Sequence, residues 1–300
     1  MDYEGRICRT PGERASYKLP ISVGCPYNAC AFCDLFKDLQ YRELPIEQVE
    51  MELARVHDLG GKPERIMLGD GNAFYMDFER LKEIILLIER YLPSCTFISS
   101  DASIPSIAAK TDEELAWLAE HNYKLVYIGI ESGLDDVLDF MLKDHDNAEC
   151  REQIARLHAA GIEYGAHIMT GVAGAGRGLE NARATAALLN ETRPVSVCNF
   201  SMGVSPTTTL GKWAKEGRFT PAPVLECLEE ERELISLLDI PVHFEGFHFD
   251  YDREKASCPE CTGDTAEFND FITAWTHTHG ELPKDRKNLL EQIDHALAVR

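Results

Sequence analysis

Short apolar runs alternate with amphipathic stretches along most of the chain. Lys18–Gly24 (KLPISVG) reads as a short buried strand. Pro45–Leu59 places Ile46, Val49, Leu53 and Val56 on one stripe at helical spacing, and Gly60-Gly61 closes the helix. Arg65–Leu68 (RIML) predicts a second strand, followed by the turn Gly69-Asp70-Gly71-Asn72. Phe78–Tyr91 has a strongly apolar helical pattern, and Cys95–Ser99 predicts a third strand. Thr111 then opens a helix, because it can cap and the acids Asp112, Glu113 and Glu114 suit a helix N-terminus.

The alternation continues. Lys124–Ile130 (KLVYIGI) predicts a fourth strand running into Glu131-Ser132-Gly133. A helix over Ala148–Ala160 ends at Gly161, and Glu163–Thr170 predicts a fifth strand. The turn Gly171–Gly176 leads to a helix over Leu179–Asn190 and a sixth strand over Val195–Met202. Strands alternating with helices imply an α/β fold with a parallel sheet, curled as a partial or full barrel. Beyond Pro206 the pattern changes to a charged helix (Val224–Leu238), a strand (Pro241–Phe247), a loop containing Cys and His, and a last helix (Lys284–Ala298). We read residues 14–210 as a barrel of (β/α)6 type and 211–300 as a small C-terminal α+β appendage.

Charge narrows the function. The 30 basic and 51 acidic residues give a net charge of −21, which disfavours nucleic acid as a partner. The acidic runs at Glu226–Glu233 and Asp135–Asp146 read as solvated helix faces. No apolar stretch approaches the roughly 18 residues of a membrane span, and the N-terminus lacks the features of a secretory signal. The expectation is a cytoplasmic chain, in which ten cysteines are not a disulfide framework. Cys8, Cys95, Cys150, Cys198 and Cys227 are scattered and read as small buried apolar residues.

The remaining cysteines are clustered. Cys25-Pro26-Tyr27-Asn28-Ala29-Cys30-Ala31-Phe32-Cys33 sets three thiols in nine residues, immediately after the first strand. The carboxyl ends of parallel strands are where such folds carry their chemistry. Three thiolates are one short of a closed zinc site or a fully ligated iron–sulfur cube. A structural zinc completed by His or Asp is one reading. A cube with one iron left open to a ligand is the other.

This cluster resembles that of the radical S-adenosylmethionine (SAM) enzymes, which carry three cysteines after the first barrel strand with an aromatic residue before the third. Phe32 is that aromatic here, and the spacing is C-x4-C-x2-C in place of the usual C-x3-C-x2-C. Gly69-Asp70-Gly71 is similar to the family's motif for the SAM amino group, with Asp70 accepting from the ammonium and Asn72 a substitute for a glutamate. Ile128–Gly133 resembles the fourth-strand motif of the branch containing oxygen-independent coproporphyrinogen oxidases, methylthiotransferases and Elongator-type enzymes. The Lys143 region, Ala160-Gly161-Ile162, Ile168–Gly171 and Ser205–Leu210 continue that likeness over about residues 18 to 220.

The resemblance implies a radical-SAM-type barrel and a [4Fe-4S] cluster on Cys25, Cys30 and Cys33. It further implies reductive cleavage of SAM to a 5′-deoxyadenosyl radical that abstracts hydrogen from a small-molecule or cofactor substrate, as an oxidoreductase or transferase. A one-electron reductant such as flavodoxin or ferredoxin is the implied partner. Glu131 accepts from ribose hydroxyls in this reading, its alternative being a cap for the following helix. Gly171–Gly176 lacks the Lys-Ser/Thr of a phosphate-binding loop and reads as a backbone platform for the adenine. A haem or iron–sulfur trafficking protein on the same fold is the competing function, with tRNA modification behind it. In the appendage, Cys258-Pro259-Glu260-Cys261 is half of a zinc-ribbon pattern, flanked by His243, His248, His277 and His279. Zinc, an auxiliary cluster, and a reduced C-x-x-C with unrelated histidines remain open there.

Overall fold

A computed structural model describes residues 8–251 and 272–299. The strands are β1 (Tyr17–Pro20), β2 (Ser22–Val23), β3 (Arg42–Glu43), β4 (Arg65–Gly69), β5 (Phe97–Ala102), β6 (Tyr123–Glu131), β7 (Glu163–Thr170), β8 (Ser196–Ser201), β9 (Val242–Tyr251) and β10 (Ile272–Leu282). The α-helices are α1 (Ile46–Asp58), α2 (Phe78–Tyr91), α3 (Ile104–Ala108), α4 (Asp112–Glu120), α5 (Asp135–Phe140), α6 (Asn147–Ala160), α7 (Gly178–Thr192), α8 (Thr209–Lys215), α9 (Val224–Leu237) and α10 (Arg286–Ala298). Eight strands are hydrogen-bonded in the order β1-β4-β5-β6-β7-β8-β9-β10, and β2 pairs with β3 in a small antiparallel ribbon. The fold class is therefore α/β, with the strand–helix order of a partial (β/α) barrel. Among the described residues no helix is long and apolar enough to cross a membrane.

The chain divides into two compact units. The first comprises Met1–Asn28, Leu35–Gly129 and Ala148–Gly165. Here β1, β4, β5 and β6 pair in parallel. Their side chains alternate little between apolar and polar because β4, for example, buries Ile66, Met67 and Leu68 together. The stripe on α1 buries Val49 and Leu53, and α2 buries Leu81, Ile84, Ile85 and Ile88. At α4 the cap is the expected one. Thr111 Oγ1 accepts from the Glu114 amide at 3.2 Å, and the Glu114 carboxylate accepts from the Thr111 amide at 2.8 Å.

The second unit comprises Ala29–Asp34, Ile130–Asn147 and Ala166–Arg300. An apolar cluster of Ala31, Val137, Met141, Val172, Leu210 and Phe219 forms part of its core. β8 and β9 pair in parallel, with Ser196 opposite His243 and Phe200 opposite Phe247. β9 and β10 form an antiparallel pair in which His277 faces Phe247 and His279 faces Glu245. The segment expected to be an irregular His-containing loop is thus partly strand. Thr and His alternate there, and β-branched Thr residues suit a pleated surface although the run is too polar to announce a strand.

Candidate functional site

The candidate residues lie in loops at the carboxyl ends of strands, in both units. In the first unit, β2 leads through Gly24 to Cys25, and β4 leads into Gly69-Asp70-Gly71. Gly71 has φ of +71°, and a Cβ there would lie 2.0 Å from the Gly24 carbonyl oxygen and 3.2 Å from the Cys25 Cα. The glycine turn therefore rests directly on the backbone that carries the first cysteine. A side chain at Gly71 would collide with the protein's own chain. Gly69 packs against the Lys18 side chain in the same way.

Asp70 has partners within the protein. Its side chain is buried, lies 3.1 Å from Lys18 Nζ and accepts from the Cys8 amide at 3.2 Å. Its carboxylate is buried against Lys18 and the Cys8 amide. Lys18 was not singled out by the sequence. The signal was a lysine inside an otherwise apolar strand. Asn72 is committed as well. Its Oδ1 accepts from the Tyr75 amide at 3.1 Å and its Nδ2 donates to Ser103 Oγ at 3.0 Å, so it caps the turn after β4.

In the second unit lie Cys30, Ala31, Phe32 and Cys33. The Ala31 amide donates to the Met141 carbonyl at 2.8 Å, and the Ala31 carbonyl accepts from the Leu210 amide at 2.8 Å. The loop is pinned on both sides between its second and third cysteines. Phe32 packs against the apolar cluster around Val137, Met141 and Val172. Burial pushes the Cys30 thiol up to about 11, while Lys143 opposes that rise and Glu131, Cys33 and Asp144 add to it.

Glu131 ends β6 with φ of +61°, a backbone conformation uncommon for a residue with a side chain and frequent at functional sites. Its carboxylate lies 3.2 Å from Lys143 Nζ. Helix α5 begins four residues later with Leu134 at its cap position and no side-chain cap, so the helix-cap reading of Glu131 falls away. His167 on β7 senses both charges, though burial is the main cause that lowers its pKa.

Gly171 follows β7 with φ of +81°, and its amide donates to Glu230 Oε2 at 2.8 Å. The Ala175 amide donates to the Thr220 carbonyl and the Gly176 amide to Glu226. These donors are used within the protein, in keeping with a turn that is not a phosphate cradle.

Cys25, Cys30 and Cys33 are partly exposed and none is in a disulfide. Among the described residues no three His, Cys, Asp or Glu side chains are drawn together at metal-binding distance. The donor chemistry nevertheless fits an iron–sulfur cluster, with three partly exposed thiols within nine residues of sequence. Cys258 and Cys261 lie outside the described residues. Of the histidines proposed to join them, His243 pairs with Glu281 at 2.8 Å, His248 with Glu231 at 2.7 Å and His277 with Glu245 at 3.0 Å. His277 also stacks on Phe247 and His279. These rings lie on β9 and β10 with carboxylate or ring partners.

Comparison with known proteins is consistent with this arrangement. The sequence model of the radical SAM superfamily matches residues 19–189. No curated protein matches. Among solved structures, coproporphyrinogen III oxidase (HemN) from Escherichia coli aligns with a TM-score of 0.59 at 14% identity, covering 74% of this chain and 52% of its own. The radical SAM methyltransferase TsrM from Kitasatospora setae aligns with a TM-score of 0.53 at 16% identity, covering 67% and 39%. Elp3 from the archaeon Methanocaldococcus infernus aligns with a TM-score of 0.51 at 15% identity, covering 74% and 54%. At such identities the likeness is one of fold, and the chain spans about half or less of the length of these structures. The matched segment contains all three clustered cysteines, the glycine turn and Glu131, and the chain belongs to the radical SAM superfamily.

Proposed function

We propose that the protein binds a [4Fe-4S] cluster through Cys25, Cys30 and Cys33 and uses it to cleave SAM reductively, acting on a small-molecule or protein-bound cofactor substrate. One observation carries this reading: the family match spans the three thiols and both strand-end motifs without interruption. Cys25, Cys30 and Cys33 would hold the cluster, which when bound would supply one-electron reduction and an open iron position for SAM.

The chain's own residues do the positioning. The Gly69–Gly71 turn holds the amino end of SAM through backbone groups, since Asp70 and Asn72 are already partnered. Glu131, paired with Lys143, accepts from ribose hydroxyls, and Gly171 borders the adenine. Phe32 and its apolar neighbours exclude water. Residues 14–210 form the catalytic domain in this reading and 211–300 an appendage. A flavodoxin or ferredoxin supplies the electron in the cytoplasm, a compartment that keeps thiols reduced.

The test is anaerobic reconstitution with iron and sulfide, reduction, and addition of SAM. Formation of 5′-deoxyadenosine and methionine is expected, with about four irons bound at this site. The triple variant Cys25→Ala, Cys30→Ala, Cys33→Ala should lose both the iron and the product. A cluster-loaded wild type that leaves SAM intact would overturn the reading.

A further inference from the structure

The carboxyl ends of β6 and β7, both in the second unit, are tied together by side chains of α7 and α9. Just past β6, Ser132 Oγ accepts from the Leu134 amide at 3.0 Å and donates to Asn181 Oδ1 on α7. The Gly133 amide donates at 2.9 Å to Thr185 Oγ1, one turn further along the same helix. At the end of β7, the Thr170 amide donates to Asn199 Oδ1 at 3.0 Å and the Gly171 amide to Glu230 Oε2 at 2.8 Å. A Cβ on Gly171 would lie 2.8 Å from Cys227 Sγ, so this turn is seated on α9.

Glu230 is where the two ends meet. Its Oε1 accepts from Asn181 Nδ2 at 2.6 Å while Oε2 holds the Gly171 amide. One side chain thus completes an unbroken path from Ser132 through Asn181 to Gly171. Its carboxyl is buried, and both of these donors are neutral amides. An apolar side chain would fill the space under α9 with less desolvation, so packing alone does not account for an acid there. Glu131 and Glu230 both line a void of about 10 Å³, which has room for about one water and for no ligand. Glu230 can therefore act on a bound molecule only through its neighbours.

We propose that Glu230 is a positioning residue for SAM: through Asn181 and the Gly171 amide it fixes the spacing of the two strand ends that border the ribose and the adenine. This role rests on the reading of Glu131 and Gly171 as neighbours of SAM. Glu230 itself lies outside the matched segment 19–189, which contains both of the ends it joins.

Glu230→Ala, Glu230→Gln, Asn181→Ala and Ile235→Ala, each made in the full-length chain, test it. Asn181→Ala cuts the path without altering α9 and carries the test if Glu230→Ala does not fold. Ile235 is buried on the same helix, so its truncation controls for lost packing. In the cluster-free protein, hydrogen exchange read by mass spectrometry should be faster by about tenfold at both Ser132–Leu134 and Thr170–Gly171 in the two path-breaking variants, and Ile235→Ala should favour neither segment. After reconstitution, the same two variants should raise the SAM dissociation constant in equilibrium dialysis, and its KM, by about tenfold, with kcat within about threefold of wild type. Glu230→Gln should stay within about threefold of wild type, because a flipped Asn181 amide lets the new amide donate to Oδ1 and keeps the path whole.

Wild-type exchange at either strand end in the path-breaking variants, an unchanged SAM affinity, or an equal loss of affinity in Ile235→Ala overturns the proposal. In each of these cases a wild type that forms 5′-deoxyadenosine leaves the catalytic reading standing. A cluster-loaded wild type that leaves SAM intact overturns both, whatever the exchange rates.

Discussion

The Glu131 carboxylate lies 3.2 Å from Lys143 Nζ, and both side chains are largely buried. Burial by itself would discharge Lys143, but Glu131, with Cys30 and Asp144 near it, holds its pKa above the ordinary lysine value. The contact orients the strand-end carboxylate toward Lys143. Removing one partner leaves a buried charge uncompensated, so Lys143→Met should cost about 3–5 kcal/mol in urea unfolding of the cluster-free chain. The double variant Lys143→Met, Glu131→Gln should recover much of that loss. Additive losses would show that the two groups are not coupled.

Asp70 makes a similar prediction in the other unit. Because it neutralises Lys18 at 3.1 Å, Asp70→Asn should lower stability by about 3–5 kcal/mol. Measured on the SAM-free chain, an unchanged unfolding midpoint would return Asp70 to the role of a ligand-facing acceptor.

Gly71 is the most constrained glycine of the site. A methyl group there meets the Gly24 carbonyl oxygen at 2.0 Å, on a backbone already at positive φ. Gly71→Ala should therefore displace the cysteine loop or destabilise the protein, before any effect on SAM is considered. Thermal unfolding together with iron content after reconstitution distinguishes a displaced loop from a tolerated one. Wild-type values of both would refute the close packing.

Glu230 predicts a pH dependence. Burial pushes its carboxyl up to about 7, although hydrogen bonds from Asn181 Nδ2 at 2.6 Å and the Gly171 amide at 2.8 Å oppose the shift. The ordinary value is 4.5, so between about 4.5 and 7 the folded state holds a proton that the unfolded chain has released. Stability from this group is thus complete below about 4.5 and is lost as pH rises through 7, on the order of 3 kcal/mol. Asp101, pushed up to about 6 by burial, adds a slope of the same sign. Glu230→Gln should flatten the decline between pH 5 and 7.5 without abolishing it. An identical pH profile in the variant would mean that Glu230 is ionised throughout.

The alternation of apolar runs and amphipathic stretches was sufficient to locate β4, β6, β7, α2 and α6 nearly to the residue, because burial on both faces leaves a parallel strand continuously apolar. Three cysteines in nine residues, and glycines after two of the strands, were likewise local features legible in order along the chain. Partnership was not legible. That Asp70 meets Lys18, that Glu131 meets Lys143, and that His243, His248 and His277 meet carboxylates depend on residues that local pattern does not bring together. β10 escaped notice for the same reason, since its Thr-His alternation becomes a strand only when β9 provides the ladder. Composition and periodicity record what each segment must bury. Only the tertiary structure determines which polar group meets which, because a buried charge is stabilised by whatever the fold brings within a few ångströms of it.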